Sequence, residues 1–273
     1  MIFSRPVEEI IRMQHSVRNF TQEIISEEIL EKILGFIKSL ENPFLGDVSI
    51  YLINKENLPD NIRLGTYGMI KGGNYYLAGV SGNKDKDKLS LGFMLEKVVL
   101  YLTDLGLGSI WLGEDFNSSE FQKTVSILGQ HKVRVVVPFG YKGGRKSIRG
   151  KLAEGSDSKR KEFSEIFFNG EDQRPLEIKD LGVFQLALEM LRLAPSVLNK
   201  QPWACAIRED EVDFYLTEET DFSLIDIGIS IAHFTLTCKE ENIEGSFVDT
   251  EYDQLPLGKY MGTFKINAKE TNT

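Results

Sequence analysis

Hydrophobic and polar positions along this chain follow two periods, and the points where one gives way to the other divide it into elements. In QEIISEEILEKILGFIKSL (22–40), Ile29, Leu30, Ile33, Leu34 and Ile37 recur at helical spacing, and Ser26 stands where a side-chain oxygen would cap the amino end. DVSIYLI (47–53) and NYYLAGVS (74–81) read as strands. LSLGFMLEKVVLYLTDLGLGSIWLG (89–113) opens as a helix with Phe93, Leu95, Val98, Val99 and Leu102 facing inward, and Gly106 is its expected left-handed stop. HKVRVVVPFGY (131–141) is a β-branched run that reads as a buried strand. Between Lys142 and Lys179 the periodicity gives way to Gly, Ser and mixed charge, with a short helix expected around 158–168. The pattern then resumes. LGVFQLALEMLRL (181–193) is an amphipathic helix, QPWACAI (201–207) and VDFYLT (212–217) are strands, and LIDIGISIAHFTLTCKEENIEGSFVD (224–249) is a long helix running into a strand.

The resumed pattern repeats the first. Laid without gaps, LGFMLEKVVLYLTDLGLGSIWLG covers IGISIAHFTLTCKEENIEGSFVD, with Gly92 over Gly228, Leu100 over Leu236, Trp111 over Phe247 and Leu112 over Val248. Helix 27–40 followed by ENPFLGDVSIYLI corresponds in order and type to helix 181–193 followed by APSVLNKQPWACAI. The order of elements carries this reading more than the identities do, because any two amphipathic helices share apolar positions. The expected organisation is a first half at 1–141, a connecting segment at 142–179 and a second, degenerate half at 180–273.

Composition narrows the classes. The chain has 273 residues, 41% of them hydrophobic, enough for a substantial core, and its net charge of -9 argues against a nucleic-acid partner. The N-terminus MIFSRPVEEIIRMQHSVRNF lacks the layout of a signal peptide, and no apolar run approaches membrane-spanning length, so a cytoplasmic protein is expected. Cys205 and Cys238 are widely separated and read as reduced thiols in apolar segments, and the three histidines form no metal motif.

Three stretches carry candidate chemistry. In QHSVRNF (14–20), an extended backbone would put Arg12, Gln14, Ser16 and Arg18 on one face, a cation among neutral donors suited to an anionic or carbonyl-rich ligand. In LGLGSIWLG, glycines after a helix let a planar ligand approach backbone N–H groups, but Trp111 stands where a dinucleotide fingerprint needs its last glycine. In LAPSVLNKQPW (193–203), Ser196 and Asn199 project from a loop between a helix and a strand, able to donate and accept at the rim of a heteroaromatic ring. Arg145, Lys146, Arg149 and Lys151 add a basic cluster.

PSVLNKQPW, with HSVR near the N-terminus and LGLGSIWLG after a long helix, resembles the flavin-dependent nitroreductase family over roughly residues 8–250, in particular a branch with two such halves fused in one chain. The resemblance implies an α+β, three-layer α/β/α sandwich forming a pseudo-dimer, and FMN gripped between the halves. One side would supply Arg12, Gln14, His15, Ser16 and Arg18, with Gly113 and Glu114 near the flavin N5 and O4 and Arg145 or Arg149 on the phosphate. The other would supply Pro195, Ser196 and Asn199. Each half keeps one side of the site, since NPFLGD (42–47) replaces PSVLN in the first and IEGSFVD replaces LGLGSIWLG in the second, so one FMN per chain is expected. The activity implied is transfer of hydride from NAD(P)H through flavin to a small acceptor such as a nitroaromatic or quinone, by a monomer. Gln14 and Glu114 depart from the family pattern and keep open a non-catalytic flavin-binding or sensing protein.

Overall fold

The computed structural model describes residues 3–125, 127, 129–143, 160–248 and 255–268. Helix α1 (Val7–Met13) starts behind Pro6 and buries Val7, Ile10 and Ile11. Helix α2 (Glu27–Ser39) starts where the capping signal placed it, with the Ser26 hydroxyl accepting the Ile29 N–H at 3.4 Å. Strands β1 (Val48–Asn54) and β2 (Tyr75–Ser81) follow, then the 20-residue helix α3 (Asp85–Asp104). Gly106 takes φ +79° and closes α3 as expected, with Gly106 N–H bonded to the Thr103 carbonyl at 3.0 Å and Leu107 N–H to that of Leu102 at 2.9 Å. β3 (Gly108–Ser109), α4 (Ser118–Lys123) and β4 (Lys132–Gly140) complete this part.

The connecting segment holds a shorter helix than expected, α5 (Phe163–Ile166), which passes directly into β5 (Phe167–Asn169). Then come α6 (Gln185–Arg192), β6 (Trp203–Ile207), β7 (Glu211–Leu216), the 20-residue helix α7 (Asp221–Glu240), β8 (Gly245–Val248) and β9 (Lys259–Ile266). Neither α1 nor β9 was read from the sequence. α1 is held because its three apolar residues pack on Leu100 and Leu236, and β9 because it is clasped between β7 and β8 despite its Lys and Gly content.

The strands form two sheets, ordered β1-β2-β4-β3 and β5-β6-β7-β9-β8. With β5 set aside, the two orders correspond strand for strand and every pair is antiparallel, while β5 adds to β6 in parallel. Residues of β2 alternate between two cores, Tyr75 and Leu77 facing α3 and Tyr76, Ala78 and Val80 facing Phe116 and Phe121, which is why the whole strand is buried. One continuous core joins the inner faces of both sheets through α3 and α7, the mixed helix-and-sheet layering expected.

The bounds of α3 and α7 differ by the same 136 residues at each end, the offset between Gly92 and Gly228. Those two glycines are the crossing point. A Cβ on Gly92 would lie 2.0 Å from the Ile225 carbonyl oxygen, and one on Gly228 2.1 Å from that of Leu89, so only hydrogen fits between the backbones. Lys88 pairs with Asp221 at 2.7 Å near both amino ends and Glu96 meets His233 further along, so the helices run side by side in one direction. One expectation needs correcting here: α7 is long and apolar enough to cross a membrane by composition alone, yet 83% of its apolar window is buried inside the protein.

Candidate functional site

The HSVR and LGLGS segments lie against each other. Ser16 and Ser109 form a parallel bridge, and Val17 N–H donates to the Ser109 carbonyl at 2.9 Å. The approach needs Gly108, where an added Cβ would sit 2.8 Å from the Val17 side chain. The backbone then passes Lys71, whose N–H donates to the Arg18 carbonyl at 2.9 Å, while the half-buried Arg18 guanidinium has no hydrogen-bond or ion-pair partner among the described residues. His15 is exposed, its Nδ1 donating to the Met13 carbonyl at 2.9 Å.

Arg12 requires a correction. It lies in the last turn of α1 rather than in an extended segment, so it does not share a face with Gln14, Ser16 and Arg18. Its guanidinium is held by Glu8 at 2.9 Å and by Glu189 of α6 at 2.8 Å. Gln14 is the residue that ends the helix, its N–H donating to the Ile10 carbonyl.

Beyond Ser109, a buried network fixes the chain. Trp111 Nε1 donates to Glu96 Oε2 at 2.9 Å, Glu96 Oε1 meets His233 Nε2 at 2.9 Å, and His233 Nδ1 meets the Met190 carbonyl at 3.0 Å. A carbonyl only accepts, so Nδ1 carries a proton, and a single further proton lies between Nε2 and the carboxyl of Glu96. Glu96 and His233 are each no more than 1% exposed, so their contact is shielded from water. Two residues on, Gly113 packs against the ring of Phe222 at the start of α7, where a Cβ would lie 2.7 Å from it; Glu114 is exposed.

The LAPSVLNKQPW loop reaches the same helix. Val197 N–H donates to Asp226 Oδ2 at 3.1 Å, and Asp226 stands one turn beyond Phe222 on α7. The amino-terminal third of α7 thus supports both Gly113 and Val197. Within the loop, Ser196 Oγ accepts the Gln201 N–H at 2.9 Å, and Leu198, Asn199 and Gln201 have φ of +53°, +55° and +48°. Three left-handed residues without a glycine among them store strain that the surrounding bonds must hold. Arg160 provides much of that hold, donating to the Asn199 side chain and, at 2.9 Å, to the Leu193 carbonyl. Lys161 donates its backbone N–H to Gln201 Oε1 at 2.9 Å and its ammonium to the Gln201 carbonyl at 3.0 Å. Arg192 lies 4.6 Å over the Phe163 ring, and its buried Nε has no acceptor among the described residues.

The stretch that precedes β1, as the 193–203 loop precedes β6, is filled. Leu45 also has φ +53°, and Gly46 N–H donates at 3.2 Å to Ser90, which matches Asp226 at the helix offset. There, however, the Phe44 ring packs edge-on against Phe93 at 5.2 Å and against Phe247 at 4.7 Å. Phe247 is the residue laid over Trp111.

A family profile described as "Putative TM nitroreductase" matches residues 6–238. The chain belongs to this family. A "putative nitroreductase" from Thermotoga maritima is similar in structure, with TM-score 0.64 and 21% identity over 97% of this chain and 95% of that one, which establishes the shared fold. A nitroreductase family protein from Clostridium difficile aligns with 55% of this chain and 92% of its own, at TM-score 0.43 and 17% identity. A "putative nitroreductase" in complex with FMN from Desulfovibrio desulfuricans aligns with 55% of this chain and 95% of its own, at TM-score 0.42 and 19% identity. No curated protein sequence matches the chain.

For this nitroreductase-family chain, the structure gathers residues that sequence reasoning passed over. Arg160, Lys161 and Asp226 all contact the 193–203 loop, and Arg192, just before it, donates to the Lys161 carbonyl at 3.2 Å. SKRKEF carried a usable signal, a second basic run just before a short helix, but nothing local tied it to a loop 40 residues away. Arg145 and Arg149, expected on the phosphate, lie outside the described residues. Both cysteines are free and buried, and burial pushes the Cys238 thiol up to about 12.

Proposed function

We propose that this chain is an FMN-dependent oxidoreductase of the nitroreductase type, passing hydride from NAD(P)H to a small acceptor such as a nitroaromatic or quinone, with one FMN per chain. The observation that carries the reading is the common support of Gly113 and Val197 on Phe222 and Asp226 of α7, while Ser109, four residues before Gly113, is bridged to Ser16. Segments from three distant parts of the sequence are therefore linked through the amino-terminal third of α7. The surrounding chemistry fits a phosphorylated, acceptor-rich group. Among the described residues, Arg18 and the buried Arg192 Nε are donors without acceptors, and the side-chain hydrogen bonds of Lys161 and Arg192 go to backbone carbonyls.

Bound FMN would supply the two-electron chemistry at its N5. The protein's part is to bind, orient and exclude water. Ser16 and Arg18 would hold the pyrimidine and ribityl side with Gln14 and His15 at the entrance, Gly113 and Glu114 would offer backbone N–H groups, and Pro195, Ser196 and Asn199 would close the opposite wall. Arg160, Lys161 and Arg192 place positive charge beside that wall, suited to the phosphate. Arg12, committed to Glu8 and Glu189, steadies α1 against α6 instead.

The single site follows from an unequal duplication, which the matching strand orders and the Gly92–Gly228 crossing support, with halves at 1–141 and 180–273 joined by 142–179. Phe44 fills the other loop's space, and α3 and α7 already form the contact between halves, so a cytoplasmic monomer is part of the same proposal. The test is the absorption spectrum of the purified chain, the flavin released per chain on heating, and bleaching of the flavin by NADH or NADPH. A yellow protein with one FMN, reduced by either nucleotide, is expected. A colourless chain that ignores added FMN overturns the reading, and a bound flavin that neither nucleotide reduces shifts it to flavin binding without catalysis.

A further inference from the structure

Asp226 is an acid where its counterpart needs none. Ser90, at the matching position of α3, holds Gly46 N–H with a neutral hydroxyl, whereas Asp226 holds Val197 N–H with a carboxyl that is 4% exposed. Its Oδ1 has no hydrogen bond among the described residues. The loop that Asp226 holds carries three strained residues, so it stays closed only while its anchors last.

We propose that Asp226 is a positioning residue that couples closure of the 195–201 loop, and with it the hold on the flavin, to uptake of a proton. The inference rests on the flavin reading only for its second half. The closed loop is part of what buries the carboxyl, and a buried carboxyl disfavours its ionised form. Closure and protonation therefore favour each other by linkage. Burial pushes the Asp226 carboxyl up to about 7, against the smaller opposing effects of the Val197 N–H and of Lys200. The charged groups around it are few and mostly paired. Lys200 bonds Glu218 at 2.7 Å, and Asp221, five residues earlier on α7, is held by Lys88 at 2.7 Å and Arg134 at 3.1 Å. Arg160 faces the loop from the far side, on Asn199. None of these supplies Asp226 with a cation of its own, so on opening to water the carboxyl ionises, and the loop loosens as the pH rises through neutrality.

Two readouts on the full chain test this, each against Asp226→Asn, which keeps the acceptor for Val197 N–H and mimics the protonated acid. In the flavin-free protein, amide exchange of Val197 and its neighbours, corrected for the intrinsic pH effect, should lose protection between about pH 6 and pH 8, while D226N stays protected throughout. FMN titrations over the same range should weaken about ten-fold in the natural protein, one pH unit of linkage, and stay flat in D226N. A D226N profile that matches the natural one, or pH-independent exchange in both, overturns the proposal. If neither protein binds FMN yet amide protection still follows pH as described, the latch stands and the flavin reading falls.

Discussion

The crossing of α3 and α7 permits a prediction whose sign can be worked from distances. Gly228→Ala would put a methyl group 2.1 Å from the Leu89 carbonyl oxygen and 2.9 Å from the Phe93 nitrogen, both backbone atoms that no rotamer change can move aside. Real Cβ atoms do not sit closer than 3.0 Å to such neighbours, so the helices must separate by close to 1 Å at their nearest approach. Leu89, Phe93 and Ile225 meet there with at most 2% exposure, and overpacking such a site costs about 3 kcal/mol. Alanine returns about 1 kcal/mol through helix propensity, leaving a net loss of about 2 kcal/mol. In a chain of this size that lowers the melting temperature by about 4 °C. Gly92→Ala should behave alike, its methyl group 2.0 Å from the Ile225 carbonyl, and the double variant should lose less than the sum, since one opening accommodates both. Gly35→Ala is the control. It is the same substitution in the middle of α2, with nothing within 4 Å, and should stabilise by about 0.5–1 kcal/mol. Thermal unfolding followed by circular dichroism reads all four. A G228A protein as stable as G35A would refute the claim that α3 and α7 meet backbone to backbone.

Three other outcomes are expected. Because the folded-state value for Asp226 is raised from 3.8 to about 7, the native chain holds a proton that the unfolded chain has released, and stability falls as pH rises across that window. Denaturant unfolding should therefore find D226N equal to the natural protein near about pH 4 and about 2 kcal/mol more stable near pH 8, half of the roughly 4 kcal/mol the full shift carries, since loop opening relieves the rest. Asn199→Ala, which strips Arg160 of a partner and the 193–203 loop of a polar group, should weaken FMN binding by about 1–3 kcal/mol by fluorescence titration; an unchanged affinity would remove that loop from the site. Glu96→Gln should unfold within about 1 kcal/mol of the natural chain, because Gln can donate to His233 Nε2 and accept from Trp111, whereas Glu96→Ala should cost about 3 kcal/mol; equal losses would contradict the one-proton network.

The sequence by itself determined what short-range periodicity governs. Five residues at helical spacing gave α2, a glycine able to take positive φ ended α3 at Gly106, a β-branched run gave β4, and the 136-residue offset laid Gly92 on Gly228 before any packing was known. Each depends on backbone preferences or on burial of one face within a single element, energies set within a few residues. Tertiary structure decided the polar partners. Arg12 met Glu189, Asn199 met Arg160 and Val197 met Asp226, across separations of 177, 39 and 29 residues. Many side chains in a sequence can satisfy one donor, and only the fold brings a particular one within hydrogen-bonding reach. For the same reason β9 went unread, because its Lys, Gly and Thr content forms a strand only where β7 and β8 offer unpaired edges on both sides.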